Sequence, residues 1–221
     1  MRGRIVGHHG KVDPFDTPFQ AELLRLFRLR RDVRRFRTEP VPEALLREVL
    51  EAAHLAPSVG LSQPWRFVRV KDPALKEAVR ADFARCNETA ASGYSGARAQ
   101  AYGALKLAGL REAPEHLLIC CERDPDQGHA LGRRTQPETA RDSAVCAIQL
   151  LWLAARAKGL GLGWVSILEP GGLRARFDLP ETWDWVAYLC LGWPESEEPV
   201  PELETLGWER RRPLDAVLFE R

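Results

Sequence analysis

The run Ala144-Val145-Cys146-Ala147-Ile148-Gln149-Leu150-Leu151-Trp152-Leu153-Ala154-Ala155 constrains this chain more than any other stretch. Its spacing is helical, yet apolar residues occupy nearly every face. A helix without a polar stripe needs neighbours all round, so it belongs at the centre of a fold or in a subunit interface. Gln149 interrupts it and it falls short of a bilayer, so it does not read as a membrane span. The rest of the chain must supply the layers that enclose it. With 221 residues, 45% hydrophobic and 29% charged, there is material for one sizeable domain with a real core.

Helices and short strands alternate around that run. Phe19, Leu23, Leu26 and Phe27 keep helical spacing. A second helix follows Pro40-Val41-Pro42-Glu43, with Leu45, Leu46, Val49, Leu50 and Ala53 on one side, and ends near His54. Pro57-Ser58-Val59-Gly60-Leu61-Ser62-Gln63-Pro64-Trp65 reads as a loop, and Arg66-Phe67-Val68-Arg69-Val70 alternates as a strand. The pattern predicts a helix over 74–84, strands over 117–121, 164–168 and 186–192, and a short helix over 173–177. Gly159-Leu160-Gly161-Leu162-Gly163 reads as the stop between the central helix and the strand from Trp164. Residues 1–17 read as a flexible arm and 194–221 as a C-terminal extension. No repeat or composition shift divides 18–221, so one domain of the α+β or α/β class is expected. Residues 85–110 carry few large aliphatics before Leu105. They are either a surface insertion or a lid over a site.

Composition narrows the chemistry. A formal net charge of +1 gives no global attraction to nucleic acid or membrane, so any anion binding must be local. The five cysteines form no CxxC pair and are odd in number, which fits buried thiols in a reducing cytosol. No apolar leader precedes the arm, and a cytoplasmic protein is expected. His8 and His9 have no third ligand nearby, so no metal site is expected. Walker, HExxH and GxSxG motifs are absent from the sequence. The glycines of 159–163 follow a helix and precede a strand, the reverse of the dinucleotide fingerprint. They either let backbone approach a flat ligand or cap the helix.

What remains is Arg30-Arg31-Asp32-Val33-Arg34-Arg35-Phe36-Arg37, a Ser/Gln loop, a Gly–Trp–Ser strand and a C-terminal arginine group. Guanidinium forks match phosphate oxygens. Asp32 could orient them or face a ligand itself. Ser58 and Gln63 could bond a ring edge or hydroxyls, and glycines could admit backbone amides to ring nitrogens. Flavin mononucleotide (FMN) joins a phosphate, a polyhydroxyl chain and a flat hydrogen-bonding ring.

These same residues carry a resemblance. Arg30-Arg31-Asp32-Val33-Arg34, Pro57-Ser58 with Gln63-Pro64-Trp65, and Gly161-Leu162-Gly163-Trp164 resemble the FMN motifs of the nitroreductase superfamily. Within it the chain is similar to the BluB-type 5,6-dimethylbenzimidazole synthases, from about Arg30 to the C-terminus. Asp32 stands where ordinary nitroreductases usually carry Ser, and Leu61 where they usually carry Asn. The stretch from Tyr94 to Pro114 is similar to that branch's lid, about 85–113. Departures are Ser62, where the family often has Met, and Asp142, where it often has Tyr. Both bear on lid closure.

The resemblance implies an α+β fold, a mixed central sheet flanked by helices, and an intertwined homodimer with FMN between subunits and Gln149 near the dimer core. It implies that Arg30, Arg31, Arg34 and Arg211 hold the phosphate, and that Ser58, Gly60, Gln63, Gly163, Trp164 and Ser166 line the flavin. The implied reaction consumes reduced FMN and O2. Ribityl C1′ becomes C2 of dimethylbenzimidazole and erythrose 4-phosphate is the other fragment. Asp32 and Ser166 would then be catalytic, moving protons, against plainer roles as an ion-pair partner and a strand hydroxyl. A separate flavin reductase would supply the reduced flavin. The alternatives are an NAD(P)H-dependent nitroreductase or flavin reductase that keeps its FMN, and a non-enzymatic FMN-binding protein.

Overall fold

Asp16 starts the first described helix: its carboxylate accepts the Phe19 N–H at 2.9 Å, and Pro18 fits the first turn of α1 (Thr17–Leu29). The computed structural model describes residues 13–221; His8, His9 and most of the expected arm lie outside the described residues. After α1 come α2 (Glu43–His54), a 3₁₀ turn (Val59–Leu61), β1 (Trp65–Arg69), α3 (Pro73–Ala91), α4 (Gly96–Ala104) and β2 (Glu115–Glu122). α5 (Thr139–Ala157), β3 (Gly161–Val165), α6 (Pro170–Arg176), β4 (Trp183–Gly192) and α7 (Glu202–Thr205) complete the order, before a last 3₁₀ turn (Leu214–Ala216).

The four strands form one antiparallel sheet in the order β1-β2-β4-β3. Leu118 faces Val68 on one side and Tyr188 on the other, and a bulge falls between Ile119 and Cys120. Among the described residues, parallel pairing is confined to one bridge, Asp32 with Leu162, at the β3 edge. The mixed sheet therefore reduces to an antiparallel sheet with a single parallel contact, and that contact is where the candidate site lies.

The sheet is buried on both faces, which is why β2 and β4 read as continuous apolar runs. On one face α5 lays Ala144, Ala147, Ile148, Leu151 and Ala155 against Leu117, Ile119, Leu189 and Leu191, with α2 beside it. On the other, Phe36, Val79, Leu110 and Leu173 surround Leu118, Tyr188 and Cys190. His116 is fully buried there and its Nδ1 lies 2.9 Å from the Tyr188 hydroxyl.

Three sequence expectations shift. α3 runs to Ala91 rather than stopping at 84, because Asp72 and Pro73 start it firmly and no breaker intervenes before Gly93. The strand expected over 164–168 lies at 161–165, with two glycines inside it. α5 is not enclosed on every side in the single chain: Val145, Cys146 and Gln149 are exposed. α1 likewise buries none of its residues and leaves Phe19, Leu23, Leu24 and Phe27 open. No described helix is long and apolar enough to cross a membrane.

Candidate active site

Helix α1 ends at Leu29 and the arginine cluster does not continue it. Arg30 turns to φ −63°, ψ 128°, and the chain runs extended along the edge of the sheet. Val33 N–H donates to Leu162 O at 3.0 Å, Arg37 N–H to Trp193 O at 2.8 Å, and Glu195 N–H to Arg35 O at 3.2 Å. The cluster is a pinned ribbon, not a solvated helix end.

Glycine permits the crossing. A Cβ on Gly163 would lie 2.1 Å from Val33 O, and one on Gly161 would lie 2.7 Å from the Val33 side chain. The space left by these residues is filled by the ribbon. Gly159, at φ +79°, is the glycine that caps α5, returning the Leu160 N–H to Ala155 O at 2.8 Å.

Asp32 hangs from this ribbon. Its Oδ1 accepts the Trp164 N–H at 2.8 Å, and its Oδ2 accepts Arg34 Nε at 3.1 Å. Burial lifts the carboxyl above the ordinary carboxylate range, while the Trp164 N–H, Arg34 and Arg30 pull it back. A carboxylate in such a setting is equipped to exchange a proton.

The arginines divide by what they already hold. Arg34 is nearly covered and committed: besides Asp32 it donates from Nη1 to Lys106 O at 3.1 Å. Arg35 pairs with Glu202 at 2.6 Å. Arg30 lies over the Trp152 ring, 4.8 Å from its centroid. Arg31 donates to the carbonyls of Arg30, Glu198 and Pro199, all neutral acceptors. Its pKa is lowered, first by desolvation and then by the charges of Arg211 and Arg30. Glu204 offsets these like charges in part, pulling the Arg31 pKa back up and pairing with Arg211 at 3.9 Å. A cleft of about 410 Å³ opens beside them, lined by Arg31, Asp32, Arg34, Arg35, Glu198 and Glu202 among others. Arg211, exposed, lines an adjoining cleft that shares Val200 and Thr205 with this one; its backbone N–H donates to Glu204 Oε1 at 2.9 Å and its guanidinium lies 3.9 Å from the same oxygen.

The Ser/Gln loop is strained: Gly60, Leu61 and Gln63 all have positive φ, at 57°, 54° and 43°. The Ser58 hydroxyl accepts the Gln63 N–H at 3.1 Å, and Gln127 Nε2 donates to Gln63 Oε1 at 3.2 Å. A Cβ on Gly60 would lie 3.0 Å from Gly128 O, so Gly60 serves loop-on-loop packing. Ser62 Oγ is buried without a partner. Ser166 is exposed just past the end of β3, one strand repeat beyond Trp164.

Of the residues expected from the sequence, the structure brings Arg30, Arg31, Asp32, Arg34, Gly163 and Trp164 together, with Arg211 at an adjoining cleft. The contacts above attach Ser58, Gly60 and Gln63 to the 123–138 loop and not to the arginines. Lys106, Gln127 and Glu202 were missed. Lys106 acts through its carbonyl and Glu202 through a contact 167 residues distant, so no local signal marks them.

The nitroreductase family model matches residues 28–193, from the last turn of α1 to just past β4. The chain belongs to the nitroreductase family. It is 55% identical over 203 residues to the 5,6-dimethylbenzimidazole synthase of Rhodospirillum rubrum, covering 92% of this chain and 96% of that one. It is 43% identical to the 5,6-dimethylbenzimidazole synthase of Rhodobacter capsulatus, covering 91% and 97%. Among solved nitroreductase-like structures, oxidized iodotyrosine deiodinase bound to FMN and 3-iodo-L-tyrosine superposes with a TM-score of 0.68 at 28% identity, covering 80% of this chain and 92% of that one. The expected α+β nitroreductase-like fold is the fold observed.

Proposed function

We propose that this member of the nitroreductase family is a 5,6-dimethylbenzimidazole synthase. The observation that carries the reading is the 55% identity to such a synthase over nearly the whole of both chains. The site fits an FMN-sized anion: Arg30, Arg31 and Arg211 crowd positive charge beside an open cleft, as a bound phosphate requires. Reduced FMN supplies the electrons for O2 and the carbon atoms of the product. The chain's own part is to hold the phosphate with Arg30, Arg31 and Arg211 and to line the ring with Ser58, Gly60, Gln63, Gly163, Trp164 and Ser166. Arg34 holds Asp32 and the lid base together. Asp32, with Oδ1 fixed by Trp164, takes or returns a proton at Oδ2, and Ser166 assists from the end of β3.

Residues 18–221 form one FMN-binding domain in this reading, with a lid over 85–113. Two copies pair through the exposed apolar faces of α1 and α5, and a flavin reductase delivers reduced FMN. Sedimentation of the full chain tests the dimer.

The deciding experiment mixes anaerobically reduced FMN with purified protein, admits air, and reads products by mass spectrometry. Dimethylbenzimidazole should appear as flavin disappears. Recovery of all the FMN intact, with NAD(P)H oxidised on added nitroaromatics, would replace this reading with that of an ordinary nitroreductase. Arg31→Met should weaken FMN binding about tenfold to a hundredfold, the scale of one charge-assisted hydrogen bond. Titration of flavin fluorescence measures it.

A further inference from the structure

We propose that Trp208 is a positioning residue that latches the lid helix α4 against the candidate site. The consequence for flavin rests on the reading above; the contact itself rests on geometry. α4 buries a single residue, Tyr102, whose hydroxyl donates to Asn87 Oδ1 at 2.7 Å. The Tyr102 ring stacks on Tyr94 with centroids 4.8 Å apart. Trp208, from the far end of the chain, closes this cluster. It meets Tyr94 edge-on at 5.5 Å and lies 6.0 Å from Tyr102. Arg98, on α4, places its guanidinium 4.4 Å from the Trp208 ring centroid and donates from Nη1 to the Trp208 carbonyl at 2.8 Å. Aromatic pairs and a cation over an indole attract beyond the area they bury.

The indole is aimed by its own backbone. Gly207 adopts φ +71°, and the Trp208 N–H returns to Leu203 O at 2.8 Å, a turn that fixes Trp208 relative to α7. α7 is in turn anchored to the ribbon by the Glu202–Arg35 pair. Thr205 and Leu206 line the arginine cleft two or three residues before Trp208. One segment thus forms a wall of the cleft and grips the lid. At the lid's base the Lys106 carbonyl sits on Arg34, the residue that holds Asp32. The lid is tied to the cleft at both ends, through Arg34 below and Trp208 above.

The test compares the full-length wild type with Trp208→Ala, Trp208→Phe and Arg98→Met. Hydrogen exchange of residues 94–106 is measured without ligand, and FMN release is followed by fluorescence. Trp208→Ala should speed exchange across 94–106 about tenfold, equivalent to about 1.4 kcal/mol, and FMN release by a similar factor. Trp208→Phe should restore most of both, and exchange in β2 and β4 should not move. Arg98→Met, on an exposed side chain, tests the same contact if Trp208→Ala fails to fold. Unchanged exchange in 94–106, or a rise in β2 and β4 of the same size, overturns the latch. A freed lid with unchanged FMN release overturns the positioning role. Because exchange is read without flavin, a protein that binds no FMN sinks the flavin reading and leaves the latch contact to be judged separately.

Discussion

Two regions converge on the Asp32–Arg34 pair and are built oppositely. The ribbon reaches it along β3, by backbone hydrogen bonds to a sheet buried on both faces and by glycines that no side chain could replace. Helix α4 of the proposed lid reaches it through the Lys106 carbonyl just past its end, and is otherwise held by an aromatic cluster and an exposed arginine. Backbone paired to a buried sheet opens only with the whole domain, whereas a helix held by a few partly exposed side chains opens alone. In the proposed function the proton-handling group therefore stands on the rigid element and the gate on the soft one. That division suits a site that must keep Asp32 in register while still admitting and releasing a ligand.

The largest effect expected is on chemistry. Asp32→Asn should lower dimethylbenzimidazole formation by about 10²–10⁴-fold, the usual worth of a positioned proton-transfer group. Near-normal product from that variant would break the assignment of chemistry to the ribbon. Its stability should move the other way with pH. The folded-state pKa of Asp32 is raised, so the native protein binds more protons than the unfolded chain as the carboxyl titrates. Stability from this group is present at low pH and is lost as pH rises. Urea unfolding should thus favour the Asn variant more at pH 8 than at pH 5.

Gly163→Ala comes next, because its Cβ would collide with Val33 O and the ribbon would have to leave β3. A loss of about 3 kcal/mol is expected, the upper range for overpacking. Urea denaturation measures it. A comparable substitution at Gly103, where an added Cβ meets nothing within 4 Å, should cost little. Equal costs at both positions would erase the contrast between ribbon and lid.

His116 sharpens the same contrast from inside the sheet. Burial first, and then Lys76, hold its pKa down at about 4. The unfolded chain binds the proton more readily, so stability falls as pH drops from about 6.5 through 4, by up to about 3 kcal/mol. The loss should appear in exchange of β2 and β4 amides, and His116→Gln should flatten it. Ser62→Ala should have the smallest effect, a gain of about 1 kcal/mol, since it removes a buried hydroxyl that has no partner. Thermal melts of the two proteins decide that.

Much of this was legible in the residues. Helical spacing placed α1, α2 and α5, continuous apolar runs placed β2 and β4, and the Arg–Arg–Asp–x–Arg stretch with the Gln–Pro–Trp loop marked the family. The glycines were harder. Gly161 and Gly163 looked like a stop after α5, because a glycine inside a strand is locally unfavourable and only a crossing chain makes it necessary. Leu160 to Gly163 carries no sign of which residue crosses it.

The sequence by itself determined the elements, their order, the family and the presence of an arginine cluster, since periodicity and motif are properties of neighbouring residues. Tertiary structure alone decided which arginines are already spent. Arg34 is claimed by a carbonyl 72 residues away, Arg35 by a carboxylate 167 residues away, and Arg31 by carbonyls 167 and 168 residues away. Only neutral acceptors hydrogen-bond Arg31, so its guanidinium is left without a bonded carboxylate where the cleft opens. A guanidinium's charge is fixed by its chemistry, but whether that charge is available depends on which distant groups folding brings within hydrogen-bond reach.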